Sequence, residues 1–414
     1  MLDVKAIRAD PGPVREALAR RGAVEQLDRV LELDARRREL LPEREGLSAT
    51  KKAANDAIAE AKRAGGDAEA AIAEMRALGA REKELQEQLT AIETELEQTL
   101  AALPNPPSGS APDAEEVLRE VGEAGSEGRD HLDLLGDLVD VDAGARVAGS
   151  RFAYLKGPLV LLELALIRWG VELLGAHGFT PTITPVLVRE EALFGTGFLP
   201  DTEQQIYALP DDDLYLAGTS EVALASLHAG EILEAGSLPL RYAGFSSCFR
   251  REAGAAGKDT RGIFRVHQFD KLEMFAFVEP GEAEAEHERL LAIEEEIFQA
   301  LGLPYRVVNI AVDDLGSSAA KKYDLEAWLP GQGAYRELTS CSNTTDFQAR
   351  RLNVRHRLEG DGGVEHVATL NGTAIAVGRT IIALVENGQR DDGTIEIPEV
   401  LLAFGAPETI AAAG

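Results

Sequence analysis

The first quarter of the chain places its apolar residues in a heptad register. Leu33, Leu40, Leu47, Ala54 and Ala61 stand seven apart, and from Leu27 to Arg63 the only strong interruptions are Pro42 and Gly46. A second run (Met75, Leu78, Leu85, Leu89, Ile92, Leu96 and Leu103) steps by threes and fours, with Glu82 and Thr99 in register. Ala64-Gly-Gly-Asp67 between the runs reads as a turn, and Leu103-Pro-Asn-Pro-Pro-Ser108 ends the second helix. Residues 1–26 form a lead-in, where Asp10-Pro-Gly-Pro-Val14 supplies an N-cap and a first-turn proline. The pattern predicts an antiparallel coiled-coil hairpin over about residues 27–103, with arms of about 35 residues and roughly 50 Å.

The register is lost after a Pro/Gly/Ser-rich linker, residues 104–112, and a mixed segment from Val117 to Gly149. Residues 158–176 read as a helix and 178–188 as a strand carrying Pro185. Extended runs are expected at 214–217, 239–250, 262–278, 305–312, 334–341 and 364–371, and helices near 219–229, 282–301, 344–353 and 373–387. Helices recur only now and then among consecutive strands. The expected fold is therefore α+β: an antiparallel sheet with flanking helices rather than a doubly wound parallel sheet. The division falls at residues 1–104 and 105–414.

Composition narrows the function. No stretch of the 414 residues approaches the roughly 20 apolar residues of a membrane-spanning helix. Met1-Leu-Asp-Val-Lys-Ala-Ile-Arg8 lacks the features of a signal peptide, so a cytoplasmic protein without a membrane partner is expected. Cys248 and Cys341 are too few and too far apart for a disulfide framework or a Cys-rich zinc site, and are expected as reduced, buried thiols. The net charge of −29 disfavours non-specific nucleic-acid binding, so any RNA must be met by local basic patches. The hairpin carries such patches at Arg36-Arg37-Arg38, Lys51-Lys52 and Lys62-Arg63, read as outer positions. A heptad segment alone fits a dimerisation coil or spacer equally well.

No GxGxxG or GxxxxGK[ST] motif is present, and three other stretches carry candidate chemistry. In Phe245–Phe277 two strands flank a loop rich in Gly, Arg and Lys. A period of two puts Arg250 and Glu252 on one face, with Phe269, Lys271 and Glu273 alternating on the return strand. Cation, carboxylate and aromatic ring together suit an anionic substrate bearing a flat base, although exposed cross-strand ion pairs would look the same. In Ala334–Asp346, Glu337 and Ser340 offer hard oxygen ligands for a Mg²⁺ that bridges phosphates, while Ser342, Asn343 or Thr344 would cap the next helix. In Thr369–Thr380, Gly372 permits close backbone approach and Arg379 offers a guanidinium to stack on a base.

In this order the three stretches resemble the signature motifs of class II aminoacyl-tRNA synthetases, with the helix and strand ending near Pro185 as the first. Val147-Ala-Gly-Ser-Arg-Phe152, Thr219-Ser-Glu221, Phe249-Arg-Arg-Glu252, Phe264-Arg-Val-His-Gln-Phe269, Glu337-Leu-Thr-Ser-Cys-Ser-Asn343 and Leu370-Asn-Gly-Thr373 narrow it. Together with the lead-in and hairpin they resemble the bacterial seryl-tRNA synthetase family over nearly the whole chain. The resemblance implies a homodimeric ligase using L-serine, ATP with Mg²⁺, and tRNA(Ser), with tRNA(Sec) as a further substrate where one exists. It implies serine binding by Thr219, Ser220, Glu221, Arg250, Glu273, Asn371 and Thr373. It implies ATP binding by Arg250, Glu252, Val266, Phe269, Glu337, Ser340 and Arg379, with Phe269 and Arg379 sandwiching the adenine, Glu337 and Ser340 holding the metal, and Arg250, Glu337 and Arg379 as the catalytic set.

Beyond Arg379 only one helix and a short tail are expected, Ile395-Glu-Ile-Pro-Glu-Val400 among them. RNA recognition is thereby left to the hairpin, with Arg36, Arg37, Lys51 and Lys52 as contacts. A ligase acting on a carrier protein, a non-catalytic RNA-binding paralogue and a pathway-dedicated duplicate are alternatives at this point.

Overall fold

The computed structural model describes residues 2–63, 69–200, 205–253, 261–360 and 362–412, without the side chains of 57, 61, 62 and 71. The expected turn at 64–67, and the side chains of Ala61 and Lys62, lie outside this description. The chain forms two compact units, Met1–Pro104 and Asn105–Gly414.

In the first unit, two short helices (Val4–Ala9 and Pro11–Ala19) precede α1 (Val24–Arg63) and α2 (Glu69–Ala102). Pro11 sits in the first turn after Asp10, but the Asp10 side chain makes no capping bond. Helix α1 runs unbroken through Pro42 and Gly46. Pro42 is exposed, so its clash is relieved toward solvent while packing on α2 holds both sides. The core between the helices thins along their length. Leu27, Val30, Leu33, Leu96, Leu100 and Leu103 are buried together with Ile7 and Leu18. Leu40, Leu85 and Leu89 form a second, smaller cluster. Leu47, Ala54, Met75 and Leu78 are only half-buried.

The second unit contains helices α3 (His131–Leu135), α4 (Pro158–Ala176), α5 (Glu221–Ala225), α6 (Ala283–Ala300), α7 (Phe347–Leu352) and α8 (Val377–Asn387). Its main sheet has strands β1 (Glu116–Val121), β2 (Thr180–Ile183), β3 (Leu240–Phe249), β4 (Gln268–Val278), β5 (Tyr305–Asn309), β6 (Lys321–Leu329), β7 (Ala334–Asn343) and β8 (Ala368–Ala376). Their order is β1-β5-β6-β7-β8-β4-β3-β2, antiparallel throughout except for the parallel β2–β3 pair. Helices α4, α6 and α8 pack on it in one large apolar core holding Leu162, Leu291 and Ile381 with Met274, Leu325 and Leu370. This is the antiparallel α+β architecture that the element order predicts.

Several boundaries differ from the sequence reading. The single strand at 178–188 is two: β2, and Leu187–Val188 in a separate three-stranded sheet with Leu214–Leu216. Pro185, with no N–H to give a ladder, lies between them. The run 262–278 becomes strand only at Gln268, and the run 364–371 breaks at Val367 into Val364–His366 and β8. Residues 373–376 continue β8 rather than begin α8, because Thr373, Ile375 and Ala376 pair with β4. Among the described residues no helix is long and apolar enough to cross a membrane.

Candidate active site

A cavity of about 440 Å³ opens over the middle of the sheet, lined from β4, β7, β8, the start of α5, the chain after β3 and the start of α8. One end is acidic. Glu221 is buried at the first position of α5, where its Oε1 accepts from Gln348 Nε2 at 2.8 Å and Asn371 Nδ2 at 3.0 Å. Burial, and then the nearby Glu273 carboxylate, push Glu221 up to about 7. Glu273 is ion-paired with Lys271 at 2.5 Å and accepts from the Thr373 hydroxyl at 3.3 Å. Thr219, Glu221, Glu273, Asn371 and Thr373 all line the cavity.

Ser220 does not. It is fully buried, its hydroxyl donates to the Gly244 carbonyl at 3.2 Å, and it is absent from the lining. The neighbouring side chains of a helix start diverge by about 100° each. Thr219 and Glu221 face the space while Ser220 ties α5 to β3.

The other end is cationic. Arg250 and Glu252 do not share a strand face, since β3 ends at Phe249. Arg250 instead donates Nε to the Gly218 carbonyl at 3.1 Å and lies over the Phe269 ring at 5.4 Å. Glu252 adopts a left-handed φ of 50° and pairs with Arg265 at 2.8 Å. The backbone turn, rather than the pleat, brings both to the cavity.

Glu337 and Ser340 are three apart on β7, which regular alternation would send to opposite faces. A register shift opposite Leu325/Glu326 inserts one extra residue into β7 and puts both on the cavity side, while Thr339 donates to Glu294 Oε2 of α6 at 2.9 Å. Arg379, in the first turn of α8, donates to the Glu337 carbonyl at 2.8 Å and lies 3.6 Å from its carboxylate. Burial alone would raise Glu337, but Arg379, Lys322, Arg250 and Arg265 together hold it below the usual carboxylate range. Gly372 meets the close approach that its motif implied, since a Cβ there would stand 3.0 Å from Glu294 Oε1 and 3.1 Å from Cys341 Cβ. Val266 and Phe269 also line the cavity. Cys248 and Cys341 are free and buried.

The expected helix caps are displaced. Asp346 stands at the N-cap of α7, whereas Ser342 and Asn343 are still paired in β7, and the Thr344 hydroxyl donates to the Thr369 carbonyl at 2.7 Å. Sequence reasoning passed over Gln348, which orients Glu221, and Phe264, whose ring carries Arg379 at 4.8 Å and Arg336 at 4.3 Å. Both lay within quoted or adjoining motif stretches, but only tertiary contact reveals their use.

On the hairpin, the four basic residues do not form one outward patch. Arg37 reaches across to Glu93 at 2.8 Å and Lys51 to Glu82 at 2.6 Å, because positions flanking a seam face the partner helix. Arg36 pairs with Glu39 on its own helix, while Lys52 is exposed and has no ion-pair partner among the described residues.

Residues 207–388 match the family model described as the tRNA synthetase class II core domain (G, H, P, S and T), and residues 1–107 match the seryl-tRNA synthetase N-terminal domain. A serine–tRNA ligase of Clavibacter sepedonicus is 50% identical over 98% of this chain and 96% of its own. Among solved structures, a seryl-tRNA synthetase from Pyrococcus horikoshii complexed with ATP superposes with a TM-score of 0.91 at 41% identity, covering 100% of each chain. A cytoplasmic serine–tRNA ligase from Naegleria fowleri in complex with AMP gives a TM-score of 0.85 at 32% identity, over 98% of this chain and 96% of the other.

Proposed function

The chain belongs to the seryl-tRNA synthetases of class II, and from that premise we propose how its residues divide the work. It activates L-serine with ATP to seryl-adenylate and transfers the seryl group to tRNA(Ser). The observation that carries the division is the polarity of the cavity, with Glu221 and Glu273 at one end and Arg250 and Arg379 at the other. The acidic end receives the ammonium and hydroxyl of serine through Thr219, Glu221, Glu273, Asn371 and Thr373. A site that hydrogen-bonds the serine hydroxyl rejects alanine, which would leave those buried groups unpaired, and must exclude threonine by shape.

Arg250 stands at the side of the cationic end that meets the acidic one, where its charge is felt by both Glu221 and Glu337. It orients the serine carboxylate toward the α-phosphorus of ATP and neutralises charge as the carboxylate attacks and pyrophosphate departs. Phe269 and Arg379 hold the two faces of the adenine, with Glu252 at its edge. The terminal ribose hydroxyl of tRNA then attacks the activated carbonyl, the acyl–phosphate bond breaks, and AMP leaves as the seryl ester forms.

Glu337 and Ser340 present two oxygen donors to the same space, and among the described residues no cluster of three metal-binding side chains occurs. Such a pair suits a Mg²⁺ that fills its shell from phosphate oxygens and water. Held there, the metal would supply positive charge to neutralise the phosphates, and Glu337, kept ionised by its cationic neighbours, would be one of its ligands.

We infer a homodimer because α4 exposes Val160, Leu161 and Leu164, and β2 exposes Ile183 at 87%. Sedimentation of Leu164→Glu as a monomer would support this, and an unchanged dimer would contradict it. Residues 27–103 serve as the arm that grips tRNA, and we infer a cytoplasmic location from the tRNA substrate. Serine-dependent exchange of labelled pyrophosphate into ATP tests the activation half. Charging of tRNA with and without residues 27–103 tests the arm: the shortened protein should keep exchange and lose charging. Normal charging would end the assignment of the arm.

A further inference from the structure

The segment between the linker and α4 had no assigned role in the sequence, yet its helix α3 touches the chain that leads into β4. Asp130 caps α3 by accepting from the Leu132 and Asp133 N–H groups at 2.9 and 3.0 Å. Arg261 bridges Asp130 and Asp133 at 2.5 and 2.6 Å. His131, 4% exposed, sits at the centre of this contact. Its backbone N–H and Nδ1 both meet Glu386 Oε1, at 3.1 and 3.2 Å, and Glu386 Oε2 accepts from the Gly331 N–H at 2.9 Å. On its other side Nε2 faces the Ile263 N–H at 3.3 Å.

That arrangement fixes the tautomer. An amide N–H only donates, so Nε2 must accept and the ring proton sits on Nδ1, directed at the Glu386 carboxylate. The approach of the two segments depends on glycine. Gly262 has a φ of 75°, and a Cβ on it would stand 2.0 Å from His131 Nε2. The residue after Ile263 is Phe264, whose ring lies against the Arg379 guanidinium. Glu386 stands about two turns beyond Arg379 on the same helix. One imidazole therefore joins the segment carrying Phe264 to the helix carrying Arg379.

We propose that His131 is a positioning residue for ATP: it clamps Ile263 to Glu386 and so holds Phe264 against one face of the Arg379 guanidinium, leaving the other face for the base. This rests on the reading of Arg379 beside the adenine. His131 itself is outside the cavity lining. Its contribution is the geometry of a stack whose Phe264 face would otherwise drift.

The test is pyrophosphate exchange by full-length His131→Ala, His131→Asn and His131→Gln, with Arg379→Ala alongside. Asn keeps an N–H donor near the Nδ1 position for Glu386 but offers Ile263 no acceptor. Gln carries an amide oxygen near the Nε2 position and restores that acceptor, while the backbone N–H of residue 131 keeps its bond to Glu386 Oε1. The clamp predicts that Ala and Asn raise the KM for ATP about tenfold, with serine KM within about twofold of normal and Gln within about threefold for ATP. Rescue by Asn and not Gln would overturn it, leaving only a bond that serves Glu386. ATP and serine KM rising together in all three variants, or no change in any, would overturn it as well. An unchanged ATP KM in Arg379→Ala would remove the adenine reading and the clamp with it. A large loss there beside a flat His131 series would overturn the clamp alone.

Discussion

The hairpin and the sheet bury their apolar residues to very different degrees. Between α1 and α2 the core shrinks from the cluster around Leu27 and Leu103 to the three leucines Leu40, Leu85 and Leu89, and then to half-buried residues. In the sheet and the helix α8 packed on it, Met274, Leu325, Leu370 and Ile381 are fully buried within one continuous cluster. Each such side chain contributes about 1.5–3 kcal/mol, so the sheet has stability to spare and the arm has little. Costly features follow that surplus. The buried Glu221, the buried Lys271–Glu273 pair and the left-handed Glu252 all sit on the sheet side. The arm carries most of its charge at its surface, and its buried Asp34, near the base, is paired with Arg8 at 2.8 Å.

The largest effect that would sharpen this contrast is at Arg379. Its guanidinium is held by Phe264 and the Glu337 carbonyl, and burial lowers its pKa although it stays charged. Arg379→Ala is expected to lower kcat/KM for ATP in pyrophosphate exchange by about a thousandfold, the scale of losing one preorganised charge partner. Thermal unfolding should change little, because the residue is partly exposed to the cavity and the core lies elsewhere. Unchanged kinetics would contradict the stacking assignment, and collapse of the fold would contradict the claim that the sheet can spare it.

Next in size is a pair of leucines on the arm. Leu85 is fully buried, while Leu47 is only half-buried. Leu85→Ala should cost about 2–5 kcal/mol of the first unit's stability, and Leu47→Ala under about 1 kcal/mol. Hydrogen exchange across residues 24–102 measures both. Equal costs would mean that the core does not thin along the hairpin. Neither substitution should alter pyrophosphate exchange, since the chemistry lies on the other unit.

What could be read in advance follows the same division. The arm was legible because a repeat of seven depends only on spacing, and α1 and α2 appear where the heptads run. Its side-chain directions were less so, because Lys51 and Arg37 flank the seam and turn inward to α2. In the sheet the motif residues were legible by type and order, but their placement was not. Period-two reasoning fails at Arg250 and Glu252, where the strand has ended, and at Glu337 and Ser340, where an extra residue reverses the parity. Ser220 shows the remaining gap: a motif names three consecutive residues, and only packing says that the middle one turns away.

A smaller effect tests the buried acid. Glu221 is raised to about 7 by burial and by Glu273, so before serine binds it is partly protonated near neutrality. A raised carboxyl adds to folding stability below its ordinary range, and that contribution is lost as pH rises through about 7. Serine binding runs the other way, since an ammonium pairs with the ionised form. The KM for serine should therefore rise about tenfold per pH unit on going below 7, until the carboxyl titrates in the complex. In Glu221→Gln the steep limb should vanish and the KM should be uniformly higher. A serine KM in the native protein that is flat between pH 6 and 8, a window of about one unit either side, would contradict the assignment.

The smallest effect separates two adjacent lysines. Lys51 is committed to Glu82 at 2.6 Å between the helices, whereas Lys52 is exposed without an ion-pair partner among the described residues. If the arm grips RNA through its phosphates, Lys52 is free to displace counterions and Lys51 is not. Lys52→Ala should raise the KM for tRNA about threefold and reduce the log–log salt slope of binding by about 0.7–0.9. Lys51→Ala should leave the slope unchanged and change stability little, as ion pairs near the surface do. Because the two side chains are neighbours of equal charge, a general electrostatic attraction would weaken equally in both variants. A difference in slope therefore reports a specific contact, and equal slopes would return the arm to a spacer.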